Sequence, residues 1–189
     1  AWETFGRLDV VVANAGIINF GYTWELSDEQ VERALAVNLE GTWRTDKYAA
    51  IYMRKQGYGR IINISSVSGL KGTAQLATYC MTKFGIIGLT KTLALELQSE
   101  GLPIYCNVVC PTKLRTPMCE TESYVDFVNS TMGKSFTSWQ EMFEDEKNPG
   151  GLKFLNPEDV TDMVLWLAES EAATKFNGRE IVVDRGAML

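Results

Sequence analysis

The sequence predicts an α/β fold built on a doubly wound parallel sheet. Three observations lead there. Short, continuous β-branched runs recur at residues 8–13, 60–65, 104–110 and 180–183. Longer stretches with helical apolar spacing lie between them, the alternation that builds parallel sheets with right-handed crossover helices. No internal repeat, low-complexity tract or Ser/Pro linker interrupts the chain, so residues 1–189 are read as a single domain.

Each element has its own local signal. Residues 8–13 (LDVVVA) read as a strand buried on both faces, because apolar side chains fall at every position and not at alternate ones. Ser27 with Gln30 three residues on has the form of a capping box. Val31, Leu35, Leu39 and Trp43 follow at helical spacing, so one helix is expected to run on toward Lys55. Gly57 and Gly59 punctuate it, and residues 60–65 (RIINIS) form the second strand. A helix over 78–97 has Gly101 just past its end. Residues 104–110 (IYCNVVC) are the third strand, stopped by Pro111. Asn156 caps a further helix with Pro157 in its first turn, and residues 180–183 (EIVV) close the pattern.

Residues 117–155 stand apart. They lack a strong period and are rich in aromatics, Ser, Thr and acids. Tyr124, Phe127, Phe136, Trp139 and Phe143 read two ways. They line an apolar pocket for a bulky, ring-containing molecule, or they pack the segment against the domain.

Composition narrows the function. The chain is 46% hydrophobic and 22% charged, which is globular composition, and its formal charge of −6 opposes phosphate reading, so no nucleic-acid partner is expected. It contains no histidine. A Ser-His-Asp triad, an H-E-x-x-H zinc site and any histidine acid or base are thereby excluded. No metal site is expected, and proton transfer falls to Tyr, Lys, Asp, Glu or Cys. Cys80, Cys106, Cys110 and Cys119 form no C-x-x-C pair and read as buried free thiols in a reducing compartment, the cytoplasm. No signal peptide or membrane-length apolar run is visible, so no membrane association is expected.

The chemistry-bearing residues cluster by pattern. Tyr79 and Lys83 lie four apart on a predicted helix, hence on one face. Seven tyrosines and ten lysines in this length give about 0.4 such pairs by chance, so the pair alone says little. Ser66 lies thirteen residues before Tyr79, at the end of the second strand. Asn38 sits mid-helix in an apolar context, where a buried amide must find partners. Asn14, Ala15 and Gly16 follow the first strand; Pro111, Leu114 and Thr116 follow the third. Singly, each has a structural explanation: a helix aromatic, a solvated lysine, a turn cap, a strand-ending turn. Together they all fall at strand carboxyl ends or on adjoining helices, where open parallel sheets bind ligands.

This joint pattern resembles the short-chain dehydrogenase/reductase family over almost the whole chain. The resemblance implies a Rossmann-like, NAD(P)-binding fold. It implies a catalytic tetrad of Asn38, Ser66, Tyr79 and Lys83. Asn14, Ala15 and Gly16, with Tyr79 and Lys83, would contact the cofactor, and Pro111, Leu114 and Thr116 would hold its nicotinamide end. Ser68, Met118 and Trp139 would touch substrate, and residues 117–155 would form a mobile flap over it. Thr112 stands where the family often has glycine, a departure that could alter the pocket floor. The Gly-Thr-Trp after Asn38 and the Thr-Pro-Met at 116–118 are most similar to carveol dehydrogenases and related actinobacterial oxidoreductases. The implied activity interconverts a secondary alcohol and a ketone on a bulky hydrophobic or cyclic substrate, terpenoid-like or steroid-like. The implied cofactor is NAD(H) or NADP(H), with NAD(H) favoured by the subfamily. Relatives pair the helices carrying Asn38 and Tyr79 into dimers or tetramers, for which Trp43, Tyr48 and Tyr52 are the candidate anchors.

The chemistry also follows from the residues. A phenol's ordinary pKa near 10 is too high for a base at neutral pH. An ammonium at about 4 Å in an effective dielectric near 20 is worth roughly 4 kcal/mol, close to three pKa units. Lys83 is therefore expected to pull Tyr79 down. Ser66 would donate to the substrate oxygen, and Asn38 would position a relay water behind Lys83.

The family's Gly-rich pyrophosphate turn is not found in the sequence, nor is the residue that would choose between NAD and NADP. The chain is accordingly expected to be N-terminally truncated by about three strands and inactive alone. Two hypotheses follow: an oxidoreductase recorded incompletely, or an inactive relative serving as a binding or assembly module. An epimerase on the same fold, which would keep Tyr-x-x-x-Lys, is a third.

Overall fold

The computed structural model describes residues 1–188. A single turn, α1 (Trp2–Phe5), precedes the first strand, and Trp2 stacks on Tyr52 at 4.9 Å between ring centroids. The four strands are β1 (Val10–Ala13), β2 (Gly59–Ile64), β3 (Ile104–Pro111) and β4 (Glu180–Val183). They pair in the order β1-β2-β3-β4, all parallel, with Val10 opposite Arg60, Gly59 opposite Ile104 and Val108 opposite Glu180.

Helices cover both faces. On one, α3 (Gly41–Gln56) and α4 (Ala77–Ser99) bury Ala49, Met53, Leu93 and Leu97 against Ile61, Ile104 and Cys106. On the other, α7 (Pro157–Glu169) packs Val160 and Leu167 against Ile62 and Val109. Consecutive strand residues thus feed opposite cores, the reason these strands read as continuous apolar runs. β1 follows the pattern on one face only. It is an edge strand, and Val10 and Val12 are 36% and 43% exposed because α7 reaches only the other three strands.

The helix expected from Ser27 toward Lys55 is continuous in path but not in type. α2 (Asp28–Ala34) starts at the expected capping box: Gln30 N–H donates to Ser27 Oγ at 3.3 Å, and Ser27 N–H to Gln30 Oε1 at 2.9 Å. A π-helical segment, Leu35–Glu40, then separates it from α3. Asn38 lies in that segment, with its side chain fully buried. A π-turn adds a residue to the helix and re-aims the side chains around it. Apolar spacing does not reveal it, because the flanking turns keep the helical period.

The expected aperiodic flap is folded. It contains α5 (Glu122–Met132), capped by Thr121, and α6 (Trp139–Glu144), capped by Ser138. Tyr124, Phe127, Phe143 and Phe154 are buried in one apolar cluster with Leu76, Met142 and Val128. Packing is therefore what most of these aromatics do. All four cysteines are free and buried.

One buried polar group is poorly matched to its surroundings. Asp46 of α3 accepts a hydrogen bond from Asn63 Nδ2 at 2.8 Å, and Asn63 Nδ2 also donates to Thr90 Oγ1 at 2.9 Å. Asp46 Oδ1 and Asn63 Oδ1 are both buried acceptors without a partner among the described residues. A proton on the carboxyl would give the pair a donor. Burial pushes the Asp46 pKa up to about 6, against a smaller downward pull from Asn63. A raised native pKa means stability is greatest below the unfolded value, near 3.8, and is lost as pH rises through about 6. Across that window Asp46 should cost about 3 kcal/mol. Chemical denaturation at pH 4 to 7 should show Asp46→Asn losing less stability with rising pH than the parent protein. Parallel pH profiles would contradict the assignment.

Candidate active site

The site assembles where β2 and β3 end. Ser66 follows β2 and caps a short 3-10 turn, Val67–Gly69, by accepting the Ser68 N–H at 3.1 Å. Its own hydroxyl faces the Pro111 carbonyl at 3.4 Å, a long and weak bond. Tyr79 lies in the first turn of α4 and is half-buried against the flap cluster. Lys83, one turn on, is buried, and its Nζ donates to the Ile64 carbonyl at 2.8 Å. The Lys83 ammonium stands 5.4 Å from the centroid of the Tyr79 ring.

Desolvation dominates the electrostatics. Burial pushes the Tyr79 phenol up to about 12, and the facing Ser66 hydroxyl pulls it back only in part. Burial also lowers Lys83 to about 8. The expectation that Lys83 draws Tyr79 downward is thus reversed in this structure. Its ammonium is turned to the Ile64 carbonyl and stands over the ring, 5.4 Å from its centroid, and loss of water around the phenol is the larger effect.

Asn38 ties two elements together. Its Oδ1 accepts the Ile17 N–H at 2.8 Å, and its Nδ2 donates to the Ile17 carbonyl at 2.9 Å and to Thr82 Oγ1 at 3.1 Å. Both amide protons are committed to protein, so the side chain fixes the loop after β1 against α4. The Asn38 carbonyl accepts the Thr42 hydroxyl at 2.7 Å. Thr82, which adjoins Lys83 and donates to the Tyr79 carbonyl at 2.9 Å, was not singled out by sequence. Its place between Tyr79 and Lys83 was the available signal.

The loop after β1 brings Gly16 beside this group. A Cβ there would lie 3.5 Å from Asn38 Oδ1 and 3.7 Å from Lys83 Nζ. Gly16, Ile18 and Phe20 line a cleft of about 580 Å³ whose opposite wall is Met118, Thr121 and Ser123 of the flap. Met118 is therefore at the cleft. Trp139 is not among its walls; it packs against Phe143 at 5.7 Å between centroids. Ser68 is buried, and its N–H shapes Ser66. Of the three expected substrate positions, Met118 is the one that lines this cleft. Beyond β3, Leu114 pairs with Leu155 and packs toward α7, while the Thr116 carbonyl accepts the Cys119 N–H at 2.8 Å. Cys119 and Tyr124 lie within electrostatic reach of Tyr79. The sequence marked Tyr124 as a pocket or packing aromatic and Cys119 as a buried thiol, without placing either beside Tyr79.

A buried ammonium with one partner thus stands at the carboxyl edge of a parallel sheet, beside a loop closing on glycine, the place where open α/β sheets take their ligands. Comparison with known proteins makes that specific. The family model for short chain dehydrogenases matches residues 1–124. An uncharacterized NAD-dependent oxidoreductase of Mycobacterium tuberculosis is 39% identical over 187 residues, covering 98% of this chain and 65% of that protein. D-beta-hydroxybutyrate dehydrogenase of Rhizobium meliloti is 34% identical, covering 97% of this chain and 69% of the relative. (-)-trans-Carveol dehydrogenase of Rhodococcus erythropolis is 33% identical, covering 100% and 68%. The chain belongs to the short chain dehydrogenase family. It spans a little under two thirds of the length of the mycobacterial relative. Among the described residues no cluster of three metal-binding side chains occurs, and no helix is long and apolar enough to cross a membrane.

Gly69 tests the geometry. A Cβ there would fall 2.5 Å from Ser65 Oγ and 2.8 Å from the Lys83 carbonyl, so the turn after Ser66 and helix α4 meet only because the side chain is absent. Gly69→Ala should destabilise the protein by about 1–3 kcal/mol, as overpacking does elsewhere. Thermal denaturation reads it, and an unchanged melting temperature would show that α4 and the turn are free to separate.

Proposed function

We propose that the protein interconverts a secondary alcohol and a ketone, with Tyr79 as the proton donor and acceptor and a nicotinamide dinucleotide as redox partner. The observation that carries this reading is the meeting of Ser66, Tyr79 and Lys83 at the carboxyl ends of β2 and β3 in a chain of this family. The residues fit such a cofactor. Lys83 uses one of its three N–H donors on Ile64, leaving two for a diol such as a ribose. Gly16 keeps the approach to that ammonium clear. When bound, the dinucleotide supplies or takes up the hydride. NAD(H) is the favoured form, a preference supported by the NAD-dependent mycobacterial relative.

The chain's own residues account for the proton. With its pKa near 12, the phenol is protonated at neutral pH and can protonate an alkoxide forming on the carbonyl carbon. Lys83 lies close enough to stabilise the resulting phenolate. The Ser66 hydroxyl, loosely held at 3.4 Å, can turn to the substrate oxygen and stabilise its charge. Asn38 is a positioning residue that holds the loop carrying Gly16; a relay water behind Lys83 belongs to this proposal too. Met118 and the flap side of the cleft favour a bulky apolar or cyclic substrate, in keeping with the relative named for carveol. Tyr79→Phe in the full-length protein should lower kcat by about 10²–10⁴-fold while leaving the dissociation constant for NADH nearly unchanged. Near-parental turnover would refute the role given to Tyr79.

The active form is proposed to be a homodimer or homotetramer joined through α3 and α4. Trp43 and Tyr48 are 45% and 57% exposed, and Phe84 on α4 is 47% exposed. Leu35, Leu39, Trp43 and Leu89 line an apolar depression of about 500 Å³ between these helices. Tyr52 is not part of this face, since it is stacked on Trp2. Sedimentation should show an oligomer at micromolar concentration that dissociates in Phe84→Glu. A monomer in the parent protein would reject the interface.

A further inference from the structure

We infer that Phe20 sets the size limit on the apolar body of the substrate, admitting a single ring and discriminating against a fused pair. The inference rests on the proposed function for the site and adds the substrate class. Phe20 lines the cleft together with Ile18 and with Gly16, the residue beside Lys83 Nζ. Phe20, Ile18 and Tyr79 all pack against the one buried flap cluster. The Phe20 ring stacks on Phe127 of α5 at 5.0 Å between centroids and meets Tyr124 edge-on at 5.8 Å. Both partners are only 5% exposed, and neither lines the cleft. The ring therefore separates the cleft from buried aromatic surface, and trimming it would extend the cleft onto Tyr124 and Phe127.

A wall limits size only if it cannot retreat, and the loop carrying Phe20 is held at three points. Before Phe20, the Ile17 N–H and carbonyl both bond the Asn38 amide, at 2.8 and 2.9 Å. Beside it, Asn19 Nδ2 donates to the Gln30 carbonyl at 2.9 Å. Beyond it, the Gly21 N–H donates to the Gln75 carbonyl at 3.1 Å, next to a bridge from Gly21 to Leu76, three residues before Tyr79. Gln75 Nε2 in turn donates to Ser130 Oγ of α5 at 3.1 Å. The φ of 63° at Gln75 is a strained backbone for a residue other than glycine, of a kind that persists where the surrounding bonds over-determine it. The loop after β1, the start of α4 and the flap helix therefore meet at one junction, which fixes Phe20 against α5. The facing wall is different. Met118 is unbranched and adaptable, and Thr121 and Ser123 are exposed. The flap side of the cleft can yield to a substrate, so the limit falls to the aromatic on the pinned side.

Cyclohexanol and 2-decalol, which differ by one fused ring, test this in the full-length protein with NAD+ or NADP+ as oxidant. The parent should favour cyclohexanol in kcat/KM. Phe20→Ala should raise the ratio of 2-decalol to cyclohexanol by about tenfold or more, chiefly through KM, since a single methylene in an apolar pocket already discriminates by about tenfold. Phe20→Leu should raise the ratio by less, and Phe20→Trp should lower it. Opposite shifts from the smaller and the larger side chain mark a wall, whereas a role in packing alone would lower both substrates alike in every variant. Should Phe20→Ala fail to fold, Phe20→Leu against Phe20→Trp carries the same comparison. A parent that favours 2-decalol, or a ratio unchanged across the folded variants, overturns the inference and leaves the proposed function standing. Dissociation constants of the same two alcohols, read by ligand-observed NMR, need no turnover. A Phe20-dependent shift in their ratio in a protein that oxidises neither alcohol would support the size limit and refute the proposed function. Neither a shift nor turnover would refute both.

Discussion

The site depends on a clasp between the end of β2 and the second turn of α4. Lys83 makes both halves of it. Its Nζ donates to the Ile64 carbonyl at 2.8 Å, and its own carbonyl accepts the Ser65 hydroxyl at 2.8 Å. The Ile64 carbonyl sits where the strand stops, so sheet pairing does not use it. The Lys83 carbonyl lies inside a helix and takes the serine as an extra donor. The two bonds set the depth at which α4 docks and, with it, the height of Tyr79 over Ser66. Gly69 allows the approach, and Asn38 repeats the device from the other side through Thr82. A change to any of these elements alters the geometry of the phenol before it alters the chemistry.

With no histidine, the clasp must also supply the electrostatics. A phenol and an ammonium, both desolvated, sit close together with no carboxylate to settle either. Desolvation raises the phenol and lowers the amine, which keeps a neutral acid and a weakly held cation side by side. That pairing is the electrostatic basis of the proton transfer proposed for Tyr79. Charge proximity alone would draw the phenol down; the loss of water on burial turns the balance the other way.

Much of this was legible in the sequence, and for identifiable reasons. The strands declared themselves because a parallel sheet covered on both faces leaves no polar alternation, and β2 and β3 obey that rule. β1 does not, since α7 covers only the strands beyond it and leaves Val10 and Val12 exposed. Ser66, Tyr79 and Lys83 were found because helix spacing and strand ends fix their relative positions. The π-segment around Asn38 was hidden because its apolar spacing stays helical on both sides. The flap was opaque for another reason. Its helices are short, of eleven and six residues, and their periodicity is masked by an apolar cluster built from loops as well as helices.

That cluster, more than the salt bridges on its surface, decides how the substrate side of the site is held. The ion pairs of Arg115, Arg185 and Lys134 with Glu146, Asp159 and Asp145 are partly exposed, and such pairs are worth at most about 1 kcal/mol each. A single fully buried large apolar side chain contributes about 1.5–3 kcal/mol. The cluster holds Phe127, Val128, Met142, Phe143 and Phe154 at 7% exposure or less. Cys119 and Tyr124, which face Tyr79, belong to the same cluster. The shape of the cleft is therefore coupled to the packing of the flap and not only to the side chains that line it. A substitution that enlarges one of these aromatics shifts Cys119 and Tyr124 against Tyr79, whereas loss of a surface ion pair leaves them in place.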